Sequence, residues 1–105
     1  MSDPSLGLAP QDVTAILAFL QRYVPGAEVW AFGSRVRGTA RPFSDLDLVI
    51  VNEEPIQGQT RAELNYALSE SDLPIKVDLV EWAATSQAFR DIILKNHLVF
   101  KPKPS

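Results

Sequence analysis

Residues 33–48 read GSRVRGTARPFSDLDL, and this stretch decides the fold that the sequence predicts. The Gly-Ser pair ends an apolar run, ten residues follow, and Asp-Leu-Asp opens a second apolar run at 45–51. Gly33 permits a tight turn and a close approach by a ligand, and Ser34 offers a hydroxyl beside backbone N–H groups. We therefore expect a strand, a turn, a loop and a second strand, with an anion-binding turn at Gly33 and Ser34.

The aspartates at the start of the second apolar run are a candidate metal site. Asp45 and Asp47 are two residues apart on the predicted strand 45–51, so both side chains leave the same face. Two neighbouring carboxylates repel each other, and their partial burial requires a cation. The chain has no cysteine and a single histidine, so oxygen ligands must dominate, which favours Mg²⁺ or Mn²⁺. With Arg35 and Arg37 close by, the stretch combines groups that nucleotidyl transfer requires.

The remaining chain predicts an α/β (α+β) domain with a small mixed β-sheet flanked by helices. We expect a loose N-terminal arm over 1–9, one domain over 10–101 and a tail over 102–105. Apolar periodicity and Pro/Gly punctuation place the elements. The first is a helix from Pro10, in which the apolar residues at helical spacing are Val13, Ile16, Leu17, Leu20 and Val24. The others are strand 28–32, a helical turn to Arg37, strand 45–51, helix 59–71, strand 75–82, a helix capped by Thr85 or Ser86 that buries Phe89, Ile92 and Ile93, and a short strand 98–100.

Composition limits the classes of function. The 105 residues suffice for one domain, and 46% are hydrophobic, which supports a real core. The net charge of −3 argues against a broad nucleic-acid surface. No N-terminal basic-apolar signal is present, and no apolar run approaches the roughly 18 residues of a membrane span. We therefore expect a cytoplasmic protein that binds neither membrane nor nucleic acid directly.

The quoted stretch resembles the nucleotidyltransferase superfamily related to DNA polymerase beta. That pattern is Gly-Ser, ten residues, and then Asp-x-Asp or Glu-x-Asp on the next strand. Gly-Ser-Arg-x-Arg-Gly followed by Ser-Asp-Leu-Asp-Leu is similar to the minimal nucleotidyltransferase (MNT) branch in particular. The runs SDLP at 71–74 and VDLVEW at 77–82 also fit this branch, so the resemblance covers nearly the whole chain. It implies a nucleotidyltransferase-type mixed sheet, ATP as substrate and Mg²⁺ as the metal.

The resemblance also implies a third carboxylate on a later strand, at the position of Asp78. An aspartate within Lys-Val-Asp-Leu-Val is a poor choice for a buried strand unless it has a partner. The alternative is an ion pair with Lys76 or another cation. Glu28 and Glu81 are the nearest rivals for the third position, and we expect both to be solvated strand residues.

The resemblance implies a role for each of these residues. The metal-binding and catalytic positions are Asp45, Asp47 and Asp78. The nucleotide-binding positions are Gly33 and Ser34, which would hold phosphates, with Arg35 and Arg37 on the leaving group or else as solvated charges.

Members of the MNT branch are paired with a helical HEPN-type protein, and the pair resembles a toxin–antitoxin module. The resemblance implies that the chain is an antitoxin that transfers AMP from ATP to a tyrosine hydroxyl of a HEPN-type ribonuclease toxin. A second hypothesis is a non-catalytic nucleotide-binding antitoxin that neutralises its partner by complex formation. Antibiotic-modifying transferases resemble the chain only over the motif, and RNA-terminal transferases fit its acidic charge poorly.

Overall fold

The computed structural model describes residues 6–41 and 43–104, and its elements follow the order expected from the sequence. Strand β2 begins at Leu46, one residue later than expected, so Asp45 precedes it; the third strand is also shorter than expected. The elements are α1 (Pro10–Tyr23), β1 (Glu28–Phe32), α2 (Ser34–Arg37), β2 (Leu46–Val51), α3 (Gly58–Ser69), β3 (Val77–Glu81), a 3₁₀ turn (Trp82–Ala84), α4 (Gln87–Lys95) and β4 (His97–Lys101).

The strands form one mixed sheet in the order β3-β2-β1-β4, which confirms the expected fold class. Strand β1 runs antiparallel to both β2 and β4, whereas β2 and β3 are parallel. Phe32 pairs with Asp47 on one side and with His97 on the other. Asp47 in turn pairs with Asp78. This register brings residues that are far apart in the chain to one end of the sheet.

The two faces of the sheet carry separate hydrophobic clusters. The larger cluster joins α1 and α3 to one face and includes Leu46, Leu48 and Ile50 of β2. The smaller cluster lies under α4, where Phe32, Val49 and Ile93 are buried. Because side chains alternate along a strand, Asp47 and Asp78 lie on the face that α4 covers.

The ends of the chain differ partly from expectation. Residues 1–5 of the expected loose arm lie outside the described residues, but Leu6 and Leu8 are buried in the larger cluster because their apolar side chains fill space against it. Residues 102–104 are exposed and have no regular structure, and residue 105 lies outside the described part. Over residues 6–41 and 43–104, we find no helix with the length and apolar character needed to cross a membrane.

Helix α4 confirms one expectation and corrects another. Ser86 caps it, since its hydroxyl accepts a hydrogen bond from the Phe89 N–H at 3.1 Å. Ile93 is fully buried and Phe89 is half-buried, but Ile92 is 56% exposed. The helix lies on a single sheet face, so its buried stripe is narrower than the run of apolar residues predicts.

Candidate active site

The turn between β1 and α2 is in direct contact with the carboxylate of Asp47. Gly33 has φ 82° and ψ −156°, a backbone region open essentially only to glycine. A Cβ at this position would overlap Oδ2 of Asp47 and would lie 3.2 Å from its Cγ. The missing side chain therefore lets the carboxylate rest against the Gly-Ser turn.

Three charged side chains act on the carboxylate of Asp47 at this end of the sheet. Burial raises the pKa of Asp47, and the charges of Asp78 and then Asp45 raise it further, while Arg37 acts in the opposite direction. The structure thus brings together four of the residues that the sequence places in the site. A cation bound between the carboxylates would relieve their repulsion.

Asp78 also forms the ion pair that the sequence leaves open as its alternative role. Its Oδ1 lies 3.2 Å from Nζ of Lys76, and the two side chains are 40% and 71% exposed, respectively. Exposed pairs of this kind contribute about 0–1 kcal/mol. The pair is therefore weak enough for Asp78 to exchange Lys76 for another cation.

The fit of a divalent metal depends on which oxygens complete its shell. Within residues 6–41 and 43–104, no three His, Cys, Asp or Glu side chains converge closely enough to hold a metal ion by themselves. Mg²⁺ is usually held by one or two carboxylates together with phosphate oxygens and water. Asp45 and Asp47 therefore fit a metal that arrives with a triphosphate, rather than a closed cage made only of protein.

Arg35 does not take the nucleotide-binding position that the sequence suggests. Its side chain is buried, with 6% exposure. Its Nε and Nη2 donate to the carbonyl of Ser44 at 3.2 and 2.8 Å, and its Nη1 donates to the carbonyl of Leu6 at 3.1 Å. The rigid donor fork of a guanidinium suits such carbonyls, so Arg35 instead joins the start of the described chain to the loop before Asp45.

A cleft of about 490 Å³ opens beside the turn. One wall consists of Phe32, Gly33, Ser34 and Arg37, with Asp47 next to them. The facing wall comes from α4 and the residue that follows it: Phe89, Ile92, Lys95 and Asn96. The sequence gives no local signal for this second wall, because tertiary packing of α4 on Phe32 and the pairing of β4 with β1 bring it to the turn. A larger cavity of about 620 Å³ between α3 and β3 touches Asp78 but neither the turn nor Asp47, so we do not assign the site to it.

Glu81 is not the solvated residue that the sequence predicts. It is 8% exposed, accepts the Ile56 N–H at 2.7 Å and forms an ion pair with Nη1 of Arg61 at 2.6 Å. Arg61 also donates from Nη2 to the Leu79 carbonyl at 2.7 Å. Glu81 thus connects β3 to α3 on the face away from Asp78, and it cannot replace Asp78 as the third carboxylate.

Comparison with known proteins was made at the level of sequence and of structure. A family described as nucleotidyltransferase domain matches residues 13–100. The Haemophilus influenzae protein named "Probable protein adenylyltransferase MntA" is 48% identical over 98 residues, which cover 93% of this chain and 86% of that protein.

Two solved structures share the fold. A toxin–antitoxin crystal structure with AMP-PNP gives a TM-score of 0.71 at 24% identity, covering 87% of this chain and 73% of that chain. The tri-AMPylated Shewanella oneidensis HEPN toxin in complex with MNT antitoxin gives a TM-score of 0.66 at 20% identity, covering 89% of this chain and 71% of the matched chain.

Proposed function

Since this chain belongs to the nucleotidyltransferase domain family, we propose that it transfers AMP from ATP to a hydroxyl of a partner protein and so acts as the antitoxin of a HEPN-type toxin. The observation that carries this proposal is the position of Asp47. It rests against the Gly-Ser turn on one side and pairs with Asp78 on the other. A phosphate held by the turn would lie next to the carboxylates that would hold a metal.

The raised pKa of Asp47 supports the same reading. Burial and two neighbouring negative charges disfavour its ionised form in the free protein. Such an arrangement lowers the stability of the free protein but favours binding, because a cation that arrives with a ligand relieves the repulsion between the carboxylates. Bound Mg²⁺ would neutralise phosphate charge, and Asp45 and Asp47 would be the residues that hold it.

The remaining groups supply the binding and proton transfer that the reaction needs. The Ser34 hydroxyl and the Gly33 backbone would bind phosphate oxygens, and Arg37 would bind the departing pyrophosphate. Asp78 would accept the proton of the attacking hydroxyl. A bond forms between that oxygen and the α-phosphorus, and the bond from this phosphorus to the oxygen of the leaving pyrophosphate breaks.

The cleft supports a nucleotide rather than an inorganic phosphate. Next to its polar turn lies an apolar section made of Phe32, Phe89 and the exposed Ile92. Phe89 is held edge-on against Phe32 with ring centroids 5.6 Å apart. An apolar wall with a few polar groups is the usual lining of a small-molecule site, and here it suits a nucleoside.

The acceptor is proposed to lie on a second protein. The chain is similar to a protein named as an adenylyltransferase, and it shares its fold with an MNT antitoxin in complex with an AMPylated HEPN toxin. We propose a HEPN-type toxin as the partner and a tyrosine as the modified residue.

The test uses α-labelled ATP and Mg²⁺ with the chain co-expressed with the product of its neighbouring gene. The variants are Asp47→Asn and, as a matched control, Asp72→Asn, since Asp72 is exposed. Label on the partner with wild type and Asp72→Asn, but not with Asp47→Asn, supports AMP transfer. Metal dependence is checked by adding EDTA, which should abolish labelling.

A second candidate is a non-catalytic antitoxin that binds nucleotide and neutralises its partner by complex formation. It is favoured by the finding that, over residues 6–41 and 43–104, no three acidic, histidine or cysteine side chains converge closely enough to hold a metal ion by themselves. A stable complex that inhibits the toxin without any labelled protein would support this candidate and overturn AMP transfer.

A further inference from the structure

We propose that Lys95, at the end of α4, binds the β- and γ-phosphates of ATP opposite the carboxylates. This inference rests on the proposed function, because it assigns a residue to the nucleotide site. The sequence does not connect Lys95 with the motif, which lies about fifty residues earlier.

Strand pairing places Lys95 beside the turn. Phe32 pairs with Asp47 in β2 and with His97 in β4. Continuing the antiparallel β1–β4 register by one residue puts Asn96 across from Gly33. Adjacent strands are about 4.8 Å apart, so the segment of Lys95 and Asn96 lies on the side of the turn away from Asp47.

The charges around the cleft require a cation on that side. A triphosphate carries several negative charges, and Lys76, which lies on the carboxylate side, is already paired with Asp78. Arg35 is engaged with the carbonyls of Leu6 and Ser44 and lies outside the cleft. The cations among the cleft residues are Arg37 and Lys95, one on each wall.

Lys95 is able to reach a ligand. It is exposed, and within residues 6–41 and 43–104 its ammonium group has neither a hydrogen bond nor an ion pair. A lysine in the last helical turn also interacts favourably with the helix dipole. That structural role would affect the melting temperature rather than ligand affinity, so the two roles can be separated.

The test measures binding of ATP, pyrophosphate and AMP to the full chain by calorimetry with Mg²⁺. The variants are Lys95→Gln, Lys95→Arg and the control Lys103→Gln, since Lys103 is exposed and outside the cleft. We expect Lys95→Gln to weaken ATP and pyrophosphate binding about tenfold or more, as the loss of a charge-assisted hydrogen bond does. AMP binding should not change, and Lys95→Arg should restore most of the affinity for ATP.

The inference would be overturned if Lys95→Gln bound ATP with an affinity within about twofold of wild type. The expected tenfold loss corresponds to about 1.4 kcal/mol of binding free energy. An equal loss of AMP affinity would also overturn it. Because binding is measured without an acceptor, a selective loss of ATP binding supports Lys95 even where no AMP transfer occurs. AMP transfer with an unchanged KM for ATP in Lys95→Gln would instead leave the proposed function in place and remove Lys95 from it. A wild-type chain that binds no ATP would overturn both.

Discussion

Gly33 and Asp47 are in contact, with no room between them for even one methyl group. The residue that turns the chain away from β1 is also the surface on which the Asp47 carboxylate rests. The spacing between Gly-Ser and Asp-x-Asp thus has a physical meaning. It brings two segments into contact at a position where only glycine leaves room for the carboxylate.

Gly33→Ala is therefore expected to affect both stability and catalysis. The backbone strain should cost about 1–3 kcal/mol, and the displaced carboxylate should lower AMP transfer by roughly 10²-fold. The control is Gly38→Ala, where φ is also positive at 77° but a Cβ would meet nothing within 4 Å. It should cost about 1–2 kcal/mol and leave transfer near wild type. Equal activity in both variants would show that the contact with Asp47 does not matter.

Asp47→Asn should stabilise the metal-free protein at neutral pH while abolishing AMP transfer. The pKa of Asp47 is raised in the folded state, so the folded protein binds more protons than the unfolded chain between pH 3.8 and the folded pKa. The stability of wild type must therefore fall as pH rises through that window. The penalty is absent below pH 3.8 and fully present above the folded pKa.

The measurement is thermal unfolding with EDTA over a range of pH, for Asp47→Asn and for Asp72→Asn. We expect the melting temperature of Asp47→Asn to exceed that of wild type at pH 7 and to converge with it below pH 3.8. A gain that does not depend on pH, or one that Asp72→Asn shares, would contradict this explanation.

Arg35→Met should lower stability, whereas Arg37→Met should weaken ATP binding. Loss of Arg35 removes the hydrogen bonds to Leu6 and Ser44 and should lower the free energy of unfolding by about 2 kcal/mol. Loss of Arg37 should leave stability near wild type and raise the KM for ATP about tenfold. Urea unfolding and steady-state kinetics measure the two effects. A stable Arg35→Met protein that binds ATP poorly would return Arg35 to the nucleotide site.

Arg61→Met should destabilise the protein without affecting AMP transfer. It leaves the Glu81 carboxylate, which is 8% exposed, without its ion-pair partner, at a cost of about 2–4 kcal/mol. The double variant with Glu81→Gln removes the unpaired charge but keeps an acceptor for the Ile56 N–H. We expect it to recover part of the loss in urea unfolding. No recovery would show that packing of Arg61, rather than its charge, accounts for the effect.

Most of the fold could be predicted from the sequence, because its signals are local. Helical spacing, Pro/Gly punctuation and the apolar run of β2 indicate the order of elements, and the structure has that order. The exposure of Ile92 could not be predicted, since its apolar neighbours fit a helix stripe equally well and only the position of α4 on the sheet decides which are buried.

The candidate site was predictable to the extent that it follows the motif. Asp47 and Gly33 are close in sequence and meet across one strand pair, and Asp78 required the resemblance because its register with Asp47 is a long-range parallel pairing. Arg35 is buried because it donates to carbonyls of residues 6 and 44, and Glu81 is buried because it pairs with Arg61. These partners are distant in sequence, so no local pattern predicts either burial. The facing wall at Lys95 depends on β4, which no local pattern connects to the turn.

Helix α4 contacts both the sheet and the cleft, so binding of a nucleotide in the cleft should affect how readily the helix unfolds. Its nine residues bury Ile93 against Phe32 and Val49, and the same helix supplies Phe89 and Ile92 to the cleft. A segment that covers a sheet face with so short a helix is expected to open more readily than α1, whose Ile16 and Leu20 are fully buried in the larger cluster. Amide hydrogen exchange in α4 should therefore slow when ATP binds, while exchange in α1 changes little. The exchange rate of α4 would then indicate whether ATP occupies the cleft.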